Sequence, residues 1–98
     1  MDDSLGASDL ENALQELITP VRLGDGLDAL AVDRAFAVVR VIAAEWRARG
    51  CVPLADAALL VAFYPDLEAA SYLYGDLDAE RIREVARQLN EECLHSLL

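Results

Sequence analysis

Lysine is absent from this chain, and histidine occurs once, at His95. Without lysine there is no Schiff base, no lysine general base and no phosphate-loop lysine. Hydroxyl nucleophiles are scarce as well: Ser4, Ser8, Thr19, Ser71 and Ser96. Carboxylates are therefore nearly the only general bases. This poverty argues against an enzyme, and neither a catalytic residue nor a cofactor is expected. Two cysteines, Cys51 and Cys93, are too few for the disulfide framework of a small secreted domain. They read as buried small hydrophobes. Long apolar runs are missing too. Arg or Asp breaks each one well short of the roughly 20 residues that a transmembrane helix needs. The opening Met1-Asp2-Asp3-Ser4 has neither the basic nor the apolar region of a signal peptide. A cytoplasmic chain with no membrane contact is the expectation.

Positive charge is the next shortage. Eight arginines face 18 acidic residues, for a net charge of −10. Direct binding to nucleic acid or an anionic membrane needs phosphate neutralisation, which this balance opposes. A partner with a basic surface suits it better. Carboxylates that imitate phosphates, so that the chain blocks a DNA- or RNA-binding protein, are a second reading. The charge is blocky. Residues 1–33 hold eight acids and one base, Arg22, whereas residues 34–55 hold Glu45 and four arginines. Residues 56–80 hold six acids and no base, and residues 81–98 hold three of each. A basic middle between acidic flanks predicts internal ion pairing onto the middle segment.

What is abundant is apolar: 55% of the 98 residues. That length suits one domain. Residues 1–7 read as a flexible polar arm, and residues 8–98 as a single helical domain. Ser8-Asp9-Leu10-Glu11 has the form of a capping box. Leu10, Ala13, Leu14, Leu17 and Ile18 follow on one helical face, with Pro20 as the expected stop. Gly24 and Gly26 mark a turn. A central helix is expected from Asp28 or Asp33 (about 33–49), with Gly50 as its C-terminal stop. Phe36, Val38, Val39, Val41, Ile42 and Trp46 leave it only a thin polar stripe, which predicts burial on several sides. Pro53 restarts the chain for a short, very apolar helix over 54–64, ended by Pro65. Asp66 should cap another over 67–74, closed by Gly75. Asp78 should cap the last, Ala79 to about Leu97, with Ile82, Val85, Ala86, Leu89, Cys93 and Leu97 facing in. The fold class is thus all-α: a compact bundle of four to five short helices around a buried central helix.

Two constellations could carry function. Glu92-x-x-His95 puts a carboxylate and an imidazole on one side of a helix, as bundle metal sites require. Glu16, Glu45 and Glu68 are the candidates to complete such a site, and the motif is too short to stand alone. Cys93 and His95 point about 200° apart on a helix, so they form no dyad. The second constellation is acidic and aromatic: Tyr64, Asp66, Glu68, Tyr72, Tyr74 and Asp76. Tyrosine is enriched at interfaces, and flanking carboxylates suit an Arg- or Lys-rich partner. These six residues are the candidate partner-binding site of a non-catalytic interaction module. The alternative assigns the rings to the core and the acids to helix caps. Excess apolar surface on the central helix also predicts a homodimer.

Overall fold

The computed structural model describes the backbone of residues 7–97 and the side chains of residues 9–93. Within these limits the chain is all-α. Helix α1 spans Ala7–Arg22, α2 Ala29–Arg49, α3 Leu54–Ala70 and α4 Asp76–Leu97. One 3₁₀ turn, Ser71–Leu73, joins α3 to the approach to α4. No helix among the described residues is long and apolar enough to cross a membrane. Apart from Ala7, the expected N-terminal arm lies outside the described residues. So does the Ser8 side chain of the expected capping box, and α1 begins one residue before it.

Every apolar residue of the α1 stripe is buried, and Val21 extends it. That extension explains why Pro20 does not stop the helix. A proline inside a helix removes one hydrogen bond, here to the carbonyl of Glu16, an exposed residue. One further turn buries Val21 completely. Behind it the amides of Leu23, Gly24 and Asp25 close onto the carbonyls of Thr19, Val21 and Pro20. Gly24 and Gly26 both take positive φ, near 85° and 83°, so the turn needs glycine there.

Of the two candidate caps, Asp28 starts α2. Its carboxylate accepts from the Leu30 amide at 3.0 Å. Gly50 ends α2 in the left-handed region, and its amide donates to the Trp46 carbonyl at 2.8 Å. Arg47 and Arg49 lie in that last turn, where the helix dipole favours cations.

The expected break at Pro65 does not occur, and the helices expected over 54–64 and 67–74 are one helix, α3. The amide missing at Pro65 falls opposite Val61, which is 76% exposed, so the vacated carbonyl lies on the solvent side. On the inner side Phe63, Leu67 and Ala70 stay buried across the proline. Packing on that face outweighs one exposed bond. The last helix likewise starts earlier than expected, at Asp76. The Ala79 amide donates to the Gly75 carbonyl, and Asp78 is a first-turn acid rather than the cap.

α2 packs against α1 and α4, and α3 packs against the same two helices. α2 and α3 scarcely meet, so they stand at opposite corners. The core is one cluster that includes Leu10, Leu17, Val39, Ile42, Trp46, Leu67, Ile82 and Leu89. α2 is buried along one side only: Ala31, Ala35, Val38, Val39, Ile42, Ala43 and Trp46 face in. Asp33, Arg34, Ala37, Arg40, Val41, Ala44 and Arg47 face out. The expected wrapping of this helix on several sides is therefore corrected: the apolar residues of its second side are small or only partly covered.

Candidate functional site

The six acidic-aromatic residues do not form one patch with one role. Tyr74 is a structural tie. Its hydroxyl donates to the Val21 carbonyl at 2.7 Å and accepts from the Gly26 amide at 2.8 Å. It joins the turn after α1 to the chain entering α4. Tyr64 is half-buried against the core. Asp66 is exposed and pairs with Arg22 of α1 at 3.5 Å. Glu68 is half-buried, and its backbone carbonyl accepts from the buried Ser71 hydroxyl. Tyr72, 75% exposed, and Asp76, in the first turn of α4, face outward. Asp78 in the first turn of α4 and Glu80 in the next are exposed too, Glu80 on the same face as Asp76.

The predicted internal pairing is met in part. Arg34 of the basic segment pairs with Glu16 of the first acidic block at 3.5 Å. Arg40 turns instead to Glu92 of α4, at 3.4 Å, and lies over the Phe36 ring. The two acidic blocks also bridge each other through Arg22 and Asp66. All these side chains are a third or more exposed, so each pair contributes only modestly. Within α4, Arg87 holds Glu84 below the ordinary carboxylate range through their hydrogen bond.

Glu92 is engaged with Arg40, and the His95 side chain lies outside the described residues. Among the described residues no three of His, Cys, Asp and Glu converge on a point. Cys93 is buried, and desolvation pushes its thiol up to about 11, which leaves it inert. Cys51, by contrast, is exposed, against the expectation that both cysteines are interior. It lies in the short link between α2 and α3, where no layer covers it. A groove of about 600 Å³ runs between α1 and α2, lined by Gln15, Glu16, Thr19, Leu30 and Arg34 among others. Its polar members are exposed side chains, with no buried group aimed inward, unlike a built small-molecule site.

Two features escaped the sequence reading. Asp56 is only 5% exposed, and its Oδ2 accepts from the Trp46 indole at 3.2 Å. Its Oδ1 is buried with no partner. An acid in the first turn of a helix usually signals solvent, so the sequence held no sign of this burial. The other feature is the outer face of α3. Leu54, Ala58, Val61, Ala62, Pro65 and Ala69 are all exposed there, in helical register and without one charged residue among them. The apolar character of 54–64 was legible, but its second, uncovered side was not.

No protein-family model matches the chain, and no curated protein or solved structure matches it either.

Proposed function

We propose that this chain is a non-catalytic protein-interaction module, cytoplasmic in location, that binds a protein with a basic surface. The supporting observation is the exposure of Tyr72, Asp76 and Glu80, the two acids sharing one face of α4, on a segment with six acids and no base. An exposed tyrosine supplies an amphipathic anchor, and the carboxylates around it steer and orient a cationic partner. Tyr74, Tyr64 and Asp66 are engaged within the fold and hold this surface in place rather than contact the partner; Glu68, whose backbone carbonyl rather than its carboxylate meets Ser71, stays in the candidate partner-binding site. The chain's few nucleophiles and bases fit a binding role.

The test is affinity capture from the source cell, with identification of the captured protein. Capture should weaken steeply as salt rises. Tyr72→Ala combined with Asp76→Asn and Glu80→Gln should abolish it while the helical CD signal is retained. Tyr74 is left intact, since its loss would perturb the fold itself. Capture that survives the triple substitution would reject this site. A captured protein that nucleic acid displaces would point to phosphate mimicry.

A further inference from the structure

The outer side of α2 repeats in sevens. Leu30, Arg34, Ala37, Val41, Ala44 and Ala48 are all exposed there, Leu30 at 80% and Val41 at 47%, and their spacing alternates four and three. That spacing forms the seam of a helix that pairs with another helix. Asp33, Arg40 and Arg47 line one flank of the seam, and Glu45 lies on the other flank, on the same side as Arg34. α1 and α4 meet the opposite, buried side of α2. We propose that a second copy of this chain covers the seam, through an antiparallel α2–α2 contact about a two-fold axis level with Val39.

Charge selects both this occupant and this direction. A two-fold axis that reverses the helix keeps each flank beside the same flank of the other copy. Residues equally far from Val39 in opposite directions then come level. On the first flank Asp33 lies about 9 Å below the axis, and Arg47 of the other copy about 12 Å below it, at 1.5 Å per residue. On the second flank Arg34, at about 7.5 Å, meets Glu45 of the other copy at about 9 Å. Both pairs are of opposite sign, and the axis repeats each. Arg40 comes beside its own copy near the axis. Each Arg40 brings Glu92, bonded to its Nε at 3.4 Å, so two charges of each sign gather there. A parallel pair would instead set Asp33 on Asp33, Arg40 on Arg40 and Arg47 on Arg47.

Shape agrees with charge. Ala37 comes level with Val41 of the other copy, and Leu30 with Ala48, so each larger apolar side chain sits beside an alanine and no seam residue meets itself. The location agrees too. A chain of net charge −10 repels its own copy, and residues 34–55, with Glu45 and four arginines, are its basic stretch. The contact leaves out Tyr72, Asp76 and Glu80, so this inference does not rest on the basic partner.

Sedimentation velocity on the intact chain, from low to high micromolar concentration, should show a dimer. Asp33→Arg and Arg47→Glu each turn an opposite pair into a like pair twice per dimer, so each alone should raise Kd by about tenfold or more. A mixture of the two variants should recover the native Kd, because every pair on that flank is again of opposite sign. A merely structural effect of either substitution would not be cured by mixing. Ala37→Glu sets a carboxylate beside Val41 of the other copy and should raise Kd by roughly a hundredfold or more. All three positions are exposed, so the helical CD signal should persist. Ala62→Glu, on the exposed side of α3, should leave the dimer unchanged. Spin labels on the exposed Cys51 should lie about 35 Å apart, whereas a parallel pair would bring them close together. A monomer at high micromolar concentration, a dimer indifferent to Asp33→Arg and Ala37→Glu, a mixture no tighter than its separate variants, or closely spaced labels would each overturn the proposal. None of these outcomes bears on capture of the basic partner.

Discussion

Tyr74→Phe removes a single oxygen and tests whether the fold depends on the tie between the α1 turn and the α4 approach. Phenylalanine fills the same space, so packing is conserved and the hydrogen bonds alone are lost. The Val21 carbonyl keeps a second donor, the Gly24 amide at 3.2 Å. The Gly26 amide has only the phenolic oxygen, at 2.8 Å. One polar group is therefore orphaned and another is weakened. An intramolecular hydrogen bond is worth about 1 kcal/mol net, and an unsatisfied buried donor costs about 1–3 kcal/mol. Gly26 is partly exposed, so water offsets some of that penalty. The sum is a loss of about 1–2 kcal/mol. In a chain of this size each kcal/mol lowers Tm by roughly 4–8 °C, so thermal CD should show a drop of about 5–15 °C. Hydrogen exchange at the Gly26 amide should accelerate more than exchange within α2. Tyr72→Phe supplies the contrast, since that side chain points to solvent and should leave Tm within about 1 °C, as surface changes do. A Tm for Tyr74→Phe equal to that of Tyr72→Phe would refute the claim that this hydroxyl holds the two segments together.

Three further outcomes are expected. Trp46→Phe leaves the buried Asp56 carboxyl without its indole donor and should lower the urea midpoint by the equivalent of about 1–3 kcal/mol, checked by CD because the only tryptophan is lost; an unchanged midpoint would show that the bond is dispensable. In the native chain, thiol titration should find one reactive cysteine, Cys51, and a second, Cys93, only in denaturant. The Cys93 thiol sits at about 11 against an ordinary 9.0, so unfolding releases a proton between those values. Its contribution to stability is therefore complete below pH 9 and declines as pH rises toward 11, which denaturant melts across that range would reveal. Pro65→Ala restores an amide opposite Val61 and a helix-favouring residue, so it should raise stability by about 1–2 kcal/mol after the loss of proline's restraint on the unfolded chain; a lower Tm would contradict the reading that Pro65 is merely tolerated.

Period and capping made the helices legible. The stripe from Leu10 to Ile18 and the stop at Gly50 could both be read directly, since each rests on interactions within a few residues. The prolines misled for the opposite reason. Pro20 and Pro65 break a local rule, and only distant packing at Val21, Phe63, Leu67 and Ala70 explains why the helices continue. The candidate site divided along the same line. Tyr72 and Asp76 kept an outward position that composition could suggest. Tyr74 was assigned to a partner because its two hydrogen-bonding groups lie about fifty residues away, where no spacing rule reaches. Asp56 was missed because a carboxylate in a first turn is ordinarily wet.

The order of helices around the bundle has a consequence for how the chain is made. Neighbours run α1, α2, α4, α3, so α4, synthesised after the other three, closes the gap between α2 and α3. While α4 is still within the ribosome, the inner sides of α2 and α3 have only α1 to cover them. Ile42, Trp46, Phe63 and Leu67 then lack Ile82, Ala86, Leu89 and Cys93, which complete the same core cluster. The core of these four helices is complete only once α4 is made, and a nascent chain stalled before residue 76 would present the apolar flanks of α2 and α3 to chaperones.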